Sequence, residues 1–139
     1  MSDSRLTVLV HALETIVGAG DDEPATLFTD DVTGWSPALR VSSLAELSEA
    51  LAERDEALSN VEVAVRSVHL SGVTATAEWR LDADHTGPLV VDDDVTVPAT
   101  GRHVHLGGAT FAEFQDGKIR SFRSYFDEMA LYEQLIASE

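Results

Sequence analysis

The chain has no cysteine, so disulfides and thiolate metal ligands are excluded and stability must come from packing alone. It is also poor in basic residues. Nine Lys and Arg stand against 25 Asp and Glu, a formal net charge of −16 that repels a phosphate backbone or an anionic bilayer over distances comparable with the Debye length. Nucleic acid and membrane are therefore not expected as partners. Long apolar runs are missing too, and the start Met1-Ser2-Asp3-Ser4-Arg5 lacks a basic region followed by an apolar stretch, so no secretory signal is expected and a cytoplasmic location is the default. There is no internal repeat and no low-complexity tail.

What is present is 139 residues, 44% of them hydrophobic, which predicts one domain over 1–139 with a sizeable core. Leu6, Leu9, Val10, Leu13, Ile16 and Val17 recur at helical spacing, and Gly18 and Gly20 predict the stop. Asp21-Asp22-Glu23-Pro24 reads as the start of a short second helix that takes in Ala25, Leu27 and Phe28. Thr33 to Leu39 reads as a short edge segment. A third helix follows, with Ser42 or Ser43 as cap and Glu46 completing a capping box.

The period then changes to two. Val61, Val63 and Val65 share one parity while Val68 and Leu70 take the other, which predicts a bulge near Arg66-Ser67. Ser71-Gly72 reads as a hairpin turn into a strand carrying Trp79, and an irregular connection from Ala83 to Ala99 includes the acid run Asp92-Asp93-Asp94. Thr100 to Gln115 resumes strand character, Gly107-Gly108 offering a bulge or a close backbone approach. Asp116-Gly117 turns the chain into a final strand, and Met129, Leu131, Leu135 and Ile136 mark a last helix. Segregated helices and antiparallel strands make an α+β domain, and bulges bend its sheet around a pocket.

The final strand carries the sharpest candidate chemistry. Arg123, Tyr125 and Asp127 share a face by alternation, opposite Arg120, Phe122, Ser124 and Phe126. Asp127 suits two roles: proton transfer beside a carbonyl, or N-cap of the last helix. Tyr125 can donate to an oxyanion or sit half-buried in the sheet, and Arg123 can bind a carboxylate or pair on the surface. His85 at a strand end can shuttle protons or cap its loop. Trp79, Trp35, Phe111, Phe114 and Phe28 are candidates for a cavity lining, or plain core. His103 and His105 share one strand face and would need a third ligand such as Glu113 or His85 to hold zinc or iron; two ordinary sheet histidines are the commoner outcome, and no metal is expected. His105 is also a candidate substrate contact.

Taken together, Trp79-Arg80-Leu81-Asp82-Ala83-Asp84-His85-Thr86-Gly87-Pro88-Leu89, Pro98-Ala99-Thr100-Gly101-Arg102, Phe114-Gln115-Asp116-Gly117-Lys118-Ile119 and Arg123-Ser124-Tyr125-Phe126-Asp127 resemble the SnoaL-like polyketide cyclases of the nuclear transport factor 2-like superfamily. The resemblance implies a cone-shaped, cystatin-like α+β barrel, a curved antiparallel sheet wrapped around a long helix, with an apolar cavity. It also implies a homodimer through the outer sheet face and no metal or organic cofactor. In cyclases of that family an aspartate matching Asp127 is the acid/base of an intramolecular aldol closure on a hydrophobic polyketide ester. Epoxide hydrolases of the same fold resemble an Asp-Arg-Asp arrangement, which here would require Arg80, Asp82 and Asp127 to meet. A ligand-binding dimer without a reaction is the remaining alternative.

Overall fold

In a computed structural model, residues 4–17, 23–37, 39–92 and 95–136 are described. The stop expected at Gly18 and Gly20, the caps at Asp21 and Asp22, and the acids Asp93 and Asp94 lie outside them. Helix α1 (Ser4–Val17) buries Leu9, Leu13 and Ile16 at the predicted spacing. Helix α2 is shorter than expected, Pro24–Leu27 with Pro24 in its first turn, because Phe28 turns extended and starts strand β1 (Phe28–Ser36). A turn at Pro37 leads to the edge strand β2 (Leu39–Val41). Helix α3 (Leu44–Ala57) begins where the capping box predicts: the Glu46 amide donates to Ser43 Oγ at 3.1 Å, and the Ser42 amide and hydroxyl each donate to Glu46 Oε2 at 2.7 Å. Those two bonds from Ser42 hold the Glu46 carboxyl below its ordinary pKa.

Strand β3 (Leu58–Ser71) breaks register between Arg66 and His69, with Ser67 at φ +54°, so the predicted bulge is there and flips the buried parity from Val65 to Val68. Strand β4 (Thr74–His85) runs further than the sequence suggests, into the supposed loop. The remainder of that connection holds a ribbon of β5 (Leu89–Asp92) and β6 (Val95–Val97). Strands β7 (His103–Gln115) and β8 (Lys118–Phe126) form the Asp116-Gly117 hairpin, both turn residues at positive φ, and α4 (Glu128–Ile136) follows.

The main sheet has the order β2-β1-β8-β7-β4-β3. Its pairs are antiparallel except β1 with β8, which run parallel. The sheet is therefore mixed, where periodicity predicted antiparallel strands throughout. Alternation fixes faces but not direction, and no hairpin ties β1 to β8. Helices α1 and α3 pack on the inner face, where Leu9, Leu13, Phe28, Val32, Leu47, Ile119 and Phe122 are fully buried.

Two glycines let rings sit directly on strand backbone. A Cβ on Gly34 would stand 2.3 Å from the Phe122 ring, and one on Gly108 would stand 2.4 Å from the Trp79 ring and 2.7 Å from the Tyr125 carbonyl oxygen. Of the two readings of Gly107-Gly108, the close approach is realised at Gly108. The β7–β8 irregularity instead falls between Glu113 and Phe114.

Candidate functional site: an apolar cavity in the cone

The inner faces of β4, β7 and β8, with α1, α3 and α4, enclose a cavity of about 190 Å³. Its wall is mostly aliphatic and aromatic, with Leu81, Leu106, Phe122 and Phe126 contributed by the sheet and Leu13 and Leu131 by the helices. One strip of that wall is polar. Trp79 Nε1–H donates to Thr110 Oγ1 at 3.0 Å, and the Thr110 and Ser124 hydroxyls lie 2.8 Å apart. Trp79, Thr110 and Ser124 all line the cavity, as does Ser36.

Beyond Trp79, Leu81 and Ala83 on the same face of β4 stands His85, fully buried. The Thr100 backbone N–H donates to its Nδ1 at 3.2 Å, and the Thr100 hydroxyl, which accepts from the Arg102 amide, is 2.9 Å from the same nitrogen. A backbone N–H can only donate, so Nδ1 accepts and the neutral ring carries its proton on Nε2. Nε2 is buried with no partner among the described residues. An unpaired buried donor costs about 1–3 kcal/mol, a cost that an acceptor from a ligand or water removes. The ring is locked in place: His85 N–H donates to the Arg102 carbonyl and Gly101 N–H to the His85 carbonyl, both at 2.8 Å. Thr86 and Gly87 both donate to the Ala57 carbonyl at the end of α3.

The other candidates are placed differently. Arg123 and Tyr125 do share a face, but it is the outer one; the inner face of β8 belongs to Phe122, Ser124 and Phe126. Arg120 does not join that inner face, because the irregularity near Ser121 turns it outward. Asp127 is exposed at the start of α4, its Oδ1 accepting the Ala130 amide at 3.0 Å, so it serves as the N-cap and does not line the cavity. In the chain it stands between Phe126 and Leu131, which do. Trp79 lines the cavity as expected, while Phe114 and Phe28 are buried core outside the lining. Trp35 and Phe111 lie on the outer face around Tyr125, at 5.2 and 6.0 Å between ring centroids, with the Arg123 guanidinium 5.8 Å from the Phe111 ring.

His105 is outside as well, its side chain 71% exposed. Arg80 and Asp82 also face outward, so the Asp-Arg-Asp arrangement does not form around one water in the cone. On this face His103 donates through Nδ1 to Asp84 at 2.8 Å, which raises the imidazole pKa. Bonds from Asn60 and then His103 lower that of Asp84. Sequence reasoning did not single out Ser36, Thr110 and Ser124; the signal available was the parity that sets Ser124 between Phe122 and Phe126.

Comparison with known proteins agrees with this architecture. A SnoaL-like polyketide cyclase from Jannaschia sp. CCS1 superposes with a TM-score of 0.84 at 19% identity, over 98% of this chain and 94% of that one. A protein of ketosteroid isomerase-like fold from Catenulispora acidiphila, solved with trimethylamine, gives 0.70 at 17% over 92% and 91%. An epoxide hydrolase of the LEH-like type from M. tuberculosis gives 0.71 at 15% over 96% and 90%. At such identities these likenesses establish the fold. No curated protein sequence matches at a significant level. The SnoaL-like polyketide cyclase family matches residues 7–135, nearly the whole chain, and the protein belongs to that family.

Proposed function

We propose that this chain binds a hydrophobic carbonyl compound in the cone and performs acid–base chemistry beside the carbonyl, of the cyclase or isomerase type. The observation that carries the reading is the apolar cavity with one hydrogen-bonding strip, Trp79–Thr110–Ser124, set in its wall. An apolar body would sit against Leu81, Leu106 and Phe122, and its oxygen would turn toward the strip. If Trp79 donates to Thr110 and Thr110 to Ser124, the Ser124 hydroxyl proton is left for a ligand acceptor. His85 lies outside the cavity lining, beyond Leu81 on the same face of β4, and its Nε2–H is the donor we assign to the enolate oxygen of a substrate that reaches that far. Asp127 is the base we assign to the α-proton, reached by a substrate that extends past Phe126. The enolate carbon then attacks the second carbonyl, forming the carbon–carbon bond as the carbonyl π bond breaks, and the new alkoxide takes up the proton that Asp127 removed.

A second reading, a non-catalytic ligand-binding domain, is favoured by one observation: Asp127 is exposed and already engaged as the cap of α4. A neutral aryl ketone separates the two. Binding is followed by quenching of tryptophan fluorescence, and proton transfer by loss of the α-proton NMR signal in D₂O. The cyclase reading expects binding that Ser124→Phe abolishes, with α-proton exchange lost in Asp127→Asn. Binding without exchange would establish the second reading, and absence of binding would remove both. The resemblance also implies a homodimer, whose seat we assign to the outer patch of Trp35, Phe111 and Tyr125; a monomer by sedimentation at micromolar concentration would exclude it.

A further inference from the structure

On the outer face of the sheet β4 and β7 set two acids opposite two histidines: Asp82 pairs with His105 and Asp84 with His103. The His103 ring is held from behind, because Nδ1 donates to Asp84 Oδ1 at 2.8 Å while Asn60 Nδ2 donates to the other Asp84 oxygen at 2.9 Å. That orients the ring and turns Nε2 toward Asp82 Oδ1, 3.5 Å away. His105 Nδ1 contacts the same Asp82 oxygen, and the two imidazoles meet edge to face with centroids 4.7 Å apart. One ligand atom from each of Asp82, His103 and His105 lies within 4.8 Å of the others.

We propose that Asp82, His103 and His105 form a binding site for a divalent transition metal ion of the zinc class. Tetrahedral zinc with bonds of about 2.0–2.1 Å needs donor atoms about 3.3 Å apart, close to the spacing of His103 Nε2 and Asp82. The half-exposed Asp82 and the more exposed His105 rotate the short remaining distance without disturbing the core. Two imidazoles and one carboxylate select zinc, cobalt, nickel, copper or ferrous iron over calcium and magnesium, which prefer oxygen. Asp84 is the outer carboxylate that a metal-bound histidine usually keeps.

The main chain is braced too. Gln134 accepts the His105 N–H through Oε1 at 2.7 Å and donates through Nε2 to the His105 carbonyl at 2.8 Å, fixing the strand that carries both imidazoles. The fourth position opens to solvent. Glu113 and His85, the third ligands the sequence suggested, are excluded: Glu113 lies at the far end of β7 opposite Thr74, and His85 faces inward. The site lies on the other side of the sheet from the cavity, so the ion clips β4 to β7 and does not touch a ligand in the cone.

The test uses tag-free, chelator-treated full-length protein, titrated with zinc chloride by calorimetry and with cobalt chloride by visible absorption. The expected result is one zinc per chain with micromolar or tighter affinity, and cobalt bands of a four-coordinate nitrogen–oxygen site. It includes a rise in melting temperature with excess zinc that the double variant His103→Ala, His105→Ala loses. Asp84→Asn, which keeps all three ligands, should weaken zinc about 10- to 100-fold. Circular dichroism checks that these surface variants fold. Binding unchanged in the double variant would assign the ion to the acidic surface at large and overturn the proposal, as would absence of zinc binding at 100 micromolar.

Discussion

The inner and outer faces of the sheet satisfy their polar groups in opposite ways. Inside, an indole, two hydroxyls and an imidazole hydrogen-bond in short chains without a charged partner: the indole to Thr110, Thr110 with Ser124, and the Thr100 amide to His85. Outside, charges and rings share sites, with imidazoles on Asp82 and Asp84 and a guanidinium over Phe111. The difference follows from the medium. An ion placed inside loses far more hydration than one neighbour returns, whereas outside water screens what the pairing leaves unbalanced. The inner face is therefore suited to holding an apolar molecule and the outer one to ions and a partner surface.

Matched substitutions break this comparison most directly. Phe122→Ala removes a ring that is 2% exposed and should destabilise by about 3–5 kcal/mol, whereas Phe111→Ala, from a ring 38% exposed, should cost about 1 kcal/mol or less in urea melts. Equal costs would mean that the two faces are packed alike. Gly108→Ala should cost about 1–3 kcal/mol, because one of the atoms it meets is the Tyr125 carbonyl oxygen, which cannot rotate away. The same change at Gly107 meets nothing closer than 3.9 Å, so its melting point should hardly move.

Thr110→Val is nearly isosteric, leaves the Trp79 N–H without an acceptor and should cost about 1–3 kcal/mol. An unchanged stability with a red-shifted tryptophan emission would show water entering the strip in its place. The smallest effect is set by pH. Glu46 has a lowered pKa in the folded chain, so its contribution is present above the ordinary value of 4.5 and is lost as pH falls through the folded value. Comparing wild type with Ser42→Ala, the stability difference should be visible at neutral pH and shrink on acidification; a difference independent of pH would dissociate it from the carboxylate.

Much of this organisation could be read from side-chain spacing. The bulge at Ser67, the Asp116-Gly117 hairpin, the Ser43 capping box and the parity of Arg123 and Tyr125 each follow from local rules, because each is decided within a few residues. What the spacing could not give was which parity faces inward. That depends on the helices that cover one side, so Arg123, Tyr125 and Asp82 could be grouped correctly and still be set toward the wrong medium. Asp127 shows the same limit, its two roles calling for the same residue at the same place. The metal-like cluster needed the register of β4 against β7, which pairs Asp84 with His103 and Asp82 with His105, 19 and 23 positions apart in sequence.

One small feature bears on how the protein behaves in a crowded solution. Strand β8 ends against Gly108, so β7 runs on toward His103 with no strand neighbour on one side among the described residues. A bare strand edge is a template on which another chain can add. The Gln134 carboxamide imitates one peptide unit and occupies the His105 amide and carbonyl. The terminal helix thus works as a plug against intermolecular strand addition. Gln134→Ala should accordingly reveal itself less in the melting temperature than in faster amide exchange at His105 and in slow growth of fibrillar aggregate on storage.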